Sequence, residues 1–396
     1  MDRNATPANR VYSIDLWRGI IMVIMALDHV RDFFHYTAAV DSPTNLMTTT
    51  PALFFTRWIT HLCAPAFLFL SGVSAYLAGQ KRTKKELRKF LITRGFWLVL
   101  VELFIVTLGW TFDPLFQIFI LQVIWAIGIS MIILGLMVNL PTSYILTAGL
   151  LIICFHNLLD PAEAAQKGDV GLVWNLVHHA NFSVVPLFGH HVMVIVYAFL
   201  PWTGIMLLGF GMGKLFTAAT PAARRRKILY RAGISGIAIF LVLRMINHYG
   251  DPQFWTIQRN PFYTFLSIIN VSKYPPSLDY IAVTVGISLI FLAATDRISK
   301  NSLPFFQVFG RVPFFYYVVH LYLIHTITVI LFFIQGYGSK DIDAQRLPFK
   351  FRPDHFGVGL AGVYLLWIGV LILLYPLCRW YDQYKRTHAY RWLSYC

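Results

Sequence analysis

The chain has 396 residues, of which 57% are hydrophobic and only 13% charged. Soluble domains carry roughly 25% charged and 45–50% apolar residues. So few charges cannot cover a soluble protein of this length, which excludes a cytosolic enzyme, a disordered chain and a disulfide scaffold. The composition points to an all-α polytopic membrane protein, a single domain over residues 1–396 with the lipid bilayer as its outer solvent. The net charge of +15 needs no nucleic-acid partner, because basic residues gather on the cytoplasmic side of membrane proteins. Cys63, Cys154 and Cys378 sit in or beside apolar runs and Cys396 is the last residue, so no disulfide framework or metal site is expected. The first apolar run has no small-residue cleavage site and reads as a retained span.

A span needs about 20 mostly apolar residues. In chain order, ten segments meet this: 14–36, 53–79, 89–112, 115–138, 141–157, 190–213, 227–248, 278–296, 304–335 and 357–382. The ninth is long and holds Gly310 and Pro313, which predicts a kink or a short leading piece. The Pro-rich stretch 252–277 reads as interfacial or re-entrant, and the expected total is ten spans or eleven. The connections on one side hold 20 of the 33 Lys and Arg residues and those on the other hold 7. This asymmetry predicts cytoplasmic termini, and an even span count agrees with it.

Twelve of the thirteen histidines fall within spans or on the outer side. Ionisable groups inside lipid must find partners or line a cavity, and they mark function by default. The first span is the most informative. Asp15, Arg18, Met22, Met25, His29 and Asp32 follow one another at intervals of three or four, which aligns them in one stripe on a helix. Such a stripe should face the bundle interior. Asp15 to His29 covers about 21 Å at 1.5 Å per residue, so the stripe joins the cytoplasmic edge to the outer half. Asp15 and Arg18 are spaced to pair. Asp28, His29, Arg31 and Asp32 crowd one outer turn. His61, His320, Tyr317 and Glu102 add polar groups from other spans, and together they predict a polar cavity open to the outer side. Ser71 and Gly72 suit close helix packing, with room beside a ligand as the alternative. The basic loops 81–89 and 224–227 suit topology and anionic lipid, and would also suit the phosphates of coenzyme A.

The pattern Arg10-x-x-Ser-Ile-Asp15-x-x-Arg18-Gly19 followed by His29 resembles the first-span signature of transmembrane acyltransferases. The wider sequence is similar to the bacterial branch of the heparan-alpha-glucosaminide N-acetyltransferase catalytic-domain family. The supporting stretches are Ala64-Pro65-Ala66-Phe67 with Ser71-Gly72, Arg94-Gly95, Tyr249-Gly250-Asp251-Pro252, Lys273-Tyr274-Pro275-Pro276-Ser277, and Gly310-Arg311 through Tyr317 to His320. The resemblance implies an integral protein of the bacterial inner membrane. It implies acetyl-CoA as acyl donor from the cytoplasm, no metal, and an acceptor reached from the outer side. That acceptor is a sugar, glycan or lipid headgroup, and a homodimer is left open. In such enzymes the matching histidine is catalytic, which carries over to His29. The resemblance is to the catalytic domain, and the luminal N-terminal extension of the animal lysosomal enzyme is not expected here. That enzyme also has Asn at the place of His29 and its active histidine in the following loop, so His35 is the alternative.

On this reading His29 is a general base for the acceptor, with Asp32 or Asp28 orienting its ring. Arg31, or His320 and Tyr317, would stabilise oxyanion charge. Arg10, Asp15, Arg18, His61, Ser71, Lys273, Tyr274, Ser277 and Arg311 complete the expected binding set. The rival reading is a proton-coupled permease using the same interior His, Asp and Arg residues.

Overall fold

The structure is a computed structural model, described for residues 12–38, 40–165, 171–298, 302–343, 348–353, 356–388 and 390. Eight helical stretches are long and apolar enough to cross a membrane: Pro51–Gly79, Lys84–Thr111, Thr142–Ala165, Phe199–Phe216, Ala222–Ile246, Leu278–Thr295, Pro313–Ile334 and Leu360–Thr387. Two more helices complete the expected ten. Tyr12–Phe34 is long enough but carries five charged side chains, and Val123–Met137 is apolar but short. The protein is therefore a polytopic α-helical membrane protein.

The expected break in the ninth segment is present. A short helix, Pro304–Arg311, ends at Val312, and Pro313 opens the long helix Pro313–Ile334. Proline at a first helical position gives up no hydrogen bond, so it starts a helix cleanly. In 252–277 the helix Pro261–Ile269 has nine residues, about 14 Å of rise, which is too short to cross. The stretch thus holds a short element and no crossing, in keeping with an interfacial or re-entrant piece.

Two other boundaries also differ from expectation. The segments 115–138 and 190–213 each begin with a strand. Ile118–Leu121 pairs in parallel with Val192–Ile195, which pairs antiparallel with Ser183–Pro186. These short β-branched runs are as apolar as a span, so hydropathy cannot separate the two. The helices that follow start only at Val123 and Phe199.

The helices are brought together by glycine. A Cβ on Gly19 would stand 1.8 Å from the Phe306 carbonyl oxygen, and one on Gly310 would stand 1.9 Å from that of Asp15. Gly72 and Gly209 do the same where Cys63–Gly79 meets Phe199–Met212, at 2.1 Å from the Met206 and Phe69 oxygens. Only backbone fits there, which is how helices associate where lipid gives no hydrophobic drive. Gly72 thus serves packing.

The first helix lies at the centre of the bundle. Gln307 donates to the Tyr12 hydroxyl at 3.1 Å and Trp367 to the Val23 carbonyl at 2.9 Å. At its far end the last carbonyls are taken up from outside. Val358 N–H donates to Phe34 O at 2.8 Å, and Arg352 donates to the His35 carbonyl at 2.9 Å and to that of Asp32. Tyr12 and Asp382, near the end of the last helix, sit at the same end of the bundle, joined through Gln307 and Arg311 of one short helix.

Candidate active site

Two open cavities flank the first helix. The wide one has a volume of about 900 Å³ and the narrow one about 340 Å³. Along the predicted stripe, Arg18 and Met22 line the narrow cavity, while Met25, His29 and Asp32 line the wide one. Asp15 lines neither. It is buried and stands 3.5 Å from Arg18. Phe67, Val123 and Tyr317 line both cavities, so these side chains stand between them.

The wide cavity is charged but balanced. Asp28 lies between two guanidiniums, 3.0 Å from Arg57 and 2.9 Å from Arg31. Arg31 also pairs with Asp32. A carboxylate held by two arginines stays ionised at little further cost, and removing either partner exposes a buried charge. Neither aspartate makes a hydrogen bond to His29 among the described residues. This corrects the expectation that Asp32 or Asp28 orients the ring.

His320 takes that place. It comes from the Pro313–Ile334 helix, is fully buried, and its Nε2 lies 2.7 Å from His29 Nδ1. The other His320 nitrogen, Nδ1, is 3.1 Å from the Tyr316 carbonyl oxygen. A carbonyl only accepts, so His320 carries its proton on Nδ1 and its Nε2 is an acceptor. His29 then donates from Nδ1, which leaves the His29 Nε2 lone pair free of the proton. This tautomer is assigned from the network. Trp110 stands edge-on to the His29 ring at 5.0 Å, and Tyr317 does so at 6.4 Å. The Tyr317 hydroxyl has no acceptor among the described residues.

The remaining predicted residues divide. His61, Lys273 and Tyr274 line the wide cavity, and Ser71, Arg18 and Arg311 line the narrow one. Ser277 lines neither. It is fully buried, caps the helix Leu278–Thr295 by accepting from Tyr280 N–H, and donates to Asp251 at 2.6 Å. His35 does not line either cavity. It pairs with the Thr37 hydroxyl at 2.8 Å and stacks on Tyr36. Burial, Arg31 and Arg352 push its pKa below the ordinary value. Arg10 lies outside the described residues. Glu102 is a helix cap: its carboxylate accepts from Trp125 N–H at 2.8 Å, in the first turn of Val123–Met137.

Sequence reasoning missed several groups. Arg57 is one of six basic residues inside the predicted spans, and that was its signal. Phe349, Asp41 and Tyr197 reach the wide cavity from distant loops and carried none. One whole wall is the sheet: Ile118, Ile120, Val184 and Val194 face the cavity at every second residue. The narrow cavity adds Arg94 and Lys385 to Arg18 and Arg311, beside apolar Leu98, Ile124, Ile127 and Phe314. Arg18 also reaches Ser74 at 3.1 Å and the Gly310 carbonyl at 3.3 Å.

A family model described as heparan-alpha-glucosaminide N-acetyltransferase, catalytic, matches residues 10–245. That range is more than half of the chain and contains the first helix, Arg57, Trp110 and the sheet. The chain belongs to this family. It is a membrane protein of an acetyltransferase type, as its helices and this match together require. A comparison with curated proteins gives no match.

Proposed function

We propose that the protein moves an acetyl group from acetyl-CoA, bound in the narrow cavity, to an amine or hydroxyl held in the wide cavity. The observation that carries this is the shared wall at Phe67, Val123 and Tyr317, with His29 beside it. The narrow cavity suits the donor. Four cations line it, as a polyanion with a pyrophosphate and a 3′-phosphate requires, and its apolar half suits an extended thioester arm. The wide cavity suits a sugar, with aromatic faces from Trp110, Tyr197 and Tyr274 and carboxylates from Asp32 and Asp41.

His29 Nε2 takes the proton of the acceptor N–H or O–H as the acceptor attacks the thioester carbonyl. His320 holds the ring in the required tautomer, a role a carboxylate fills in other bases. The Tyr317 hydroxyl donates to the carbonyl oxygen as charge develops there. The carbon–sulfur bond then breaks, and the thiolate takes the proton from the His29 imidazolium. His29 is the base in preference to His35 because it alone of the two lines a cavity. The basic end of the bundle, holding the narrow cavity and both ends of the described chain, faces the cytoplasm.

The test is purified protein with acetyl-labelled acetyl-CoA and a panel of amino sugars, glycans and lipid headgroups. Acceptor-dependent release of free thiol together with labelled product supports the proposal. Solute uptake into vesicles with no thiol release would establish the permease instead.

A further inference from the structure

A third polar cluster lies apart from both cavities, where the Thr142–Phe155 helix runs on through His156–Leu159 into Asp160–Ala165. Asp160, Glu163 and His178 place one ligand atom each within 4.8 Å of one another. Glu163 Oε1 is 2.6 Å from His178 Nδ1, and Glu163 Oε2 is 3.3 Å from His179 Nδ1. The reaction proposed above uses none of these groups.

Each of the three is held by a further residue. Asn157 donates to Asp160 at 2.7 Å, Trp174 donates to Glu163 at 2.7 Å, and His156 Nδ1 stands 3.1 Å from His178 Nε2. Asn157 is itself fixed, since its oxygen accepts from Leu278 N–H at 2.8 Å. Partners of this kind set the direction of metal ligands. A second observation concerns protons. His156 is only 3% exposed, and its Nε2 has no partner among the described residues. Glu163 only accepts, so His178 carries a proton on Nδ1 and its Nε2 accepts from His156. The proton on His178 Nδ1 therefore lies between that ring and Glu163 Oε1, and a metal ion that displaces it meets the Nδ1 lone pair and both carboxylates together.

We propose that Asp160, Glu163 and His178, with His156 holding the His178 ring from behind, form a binding site for one divalent transition-metal ion of the zinc type. Mixed imidazole and carboxylate ligands select such ions, whereas calcium and magnesium take oxygen-only sets. Two carboxylates balance the charge. The ion ties the end of the Thr142–Phe155 helix to the segment that leads directly into Asn181, Phe182 and Val184, which line the wide cavity. The proposal stands independently of the acetyl-transfer reading.

The experiment uses full-length protein in detergent, stripped with chelator, equilibrated with Zn²⁺ and desalted before metal analysis. One equivalent of zinc per chain is expected. Glu163→Gln and His178→Ala should lose it. Asn157→Ala, which keeps every ligand, should weaken binding about 10- to 100-fold. His190→Ala, an exposed histidine elsewhere, should bind as wild type. Cobalt substitution of the wild type gives a readout that does not depend on variant folding, and visible d–d bands of a nitrogen–oxygen site are expected. Stripped wild type that takes up no zinc, a cobalt spectrum without those bands, or folded Glu163→Gln and His178→Ala that retain full zinc would each overturn the site.

Discussion

The two cavities begin one helical turn apart, at Met22 and Met25 of the same helix, yet they handle charge in opposite ways. In the wide cavity every arginine on the first two helices is matched: Asp28 sits between Arg31 and Arg57, and Asp32 takes Arg31 as well. His29 is left between these pairs, bonded to neither aspartate and held by His320 instead. In the narrow cavity Arg18, Arg94, Arg311 and Lys385 line the wall, and Asp15 and Asp382, which pair with Arg18 and Arg311, do not line it. A balanced site favours proton transfer with little net field. A site lined by cations, with no carboxylate in its wall among the described residues, favours a polyanion. The difference separates chemistry from donor binding along a single helix.

That contrast can be broken at defined points. The largest effect is expected for His29→Ala, which should lower the transfer rate about 10²- to 10⁴-fold while the melting temperature and acetyl-CoA binding stay near wild type. Next, Arg57→Met strands part of the Asp28 charge and should cost about 3 kcal/mol of stability in reversible unfolding. Adding Asp28→Asn should restore most of it, because both charges are then gone. Third, His320→Ala removes the acceptor for His29 Nδ1 and should lower kcat about 10²-fold, with KM for both substrates little changed. His320→Gln, which restores an acceptor oxygen, should recover part of the loss. The smallest effect is expected for Lys385→Ala. It should raise KM for acetyl-CoA about fivefold, the worth of one partly exposed charge of roughly 1 kcal/mol, and leave the acceptor KM unchanged. A rise in the acceptor KM instead would erase the division between the cavities.

Much of this was legible in the sequence. Each of the ten apolar segments holds a helix, and eight of these helices are long and apolar enough to cross a membrane, because hydropathy over about 20 residues is a strong signal. The stripe from Asp15 to Asp32 was readable because helical spacing is local. The partner of His29 was not readable, since His320 is 291 residues away and nothing in either neighbourhood names the other. Local spacing favoured Asp32 at i+3, but Arg31 claims it. Likewise Asp28 finds Arg57 across a helix boundary. Val192–Ile195 looked like the start of a span because a buried strand and a buried helix share one composition. Ser277 belonged to a motif that pointed to binding, whereas its hydroxyl is used by Tyr280 and Asp251.

The central claim is that donor and acceptor reach His29 from opposite ends of the bundle. The direct test uses proteoliposomes with the protein in one orientation, acetyl-labelled acetyl-CoA on one side only, and an acceptor taken from the panel on either side. Transfer is predicted when donor and acceptor are on opposite sides, with none when they share a side and none in His29→Ala. Equal transfer with both substrates on the same side, or undiminished transfer by folded His29→Ala, would contradict the account.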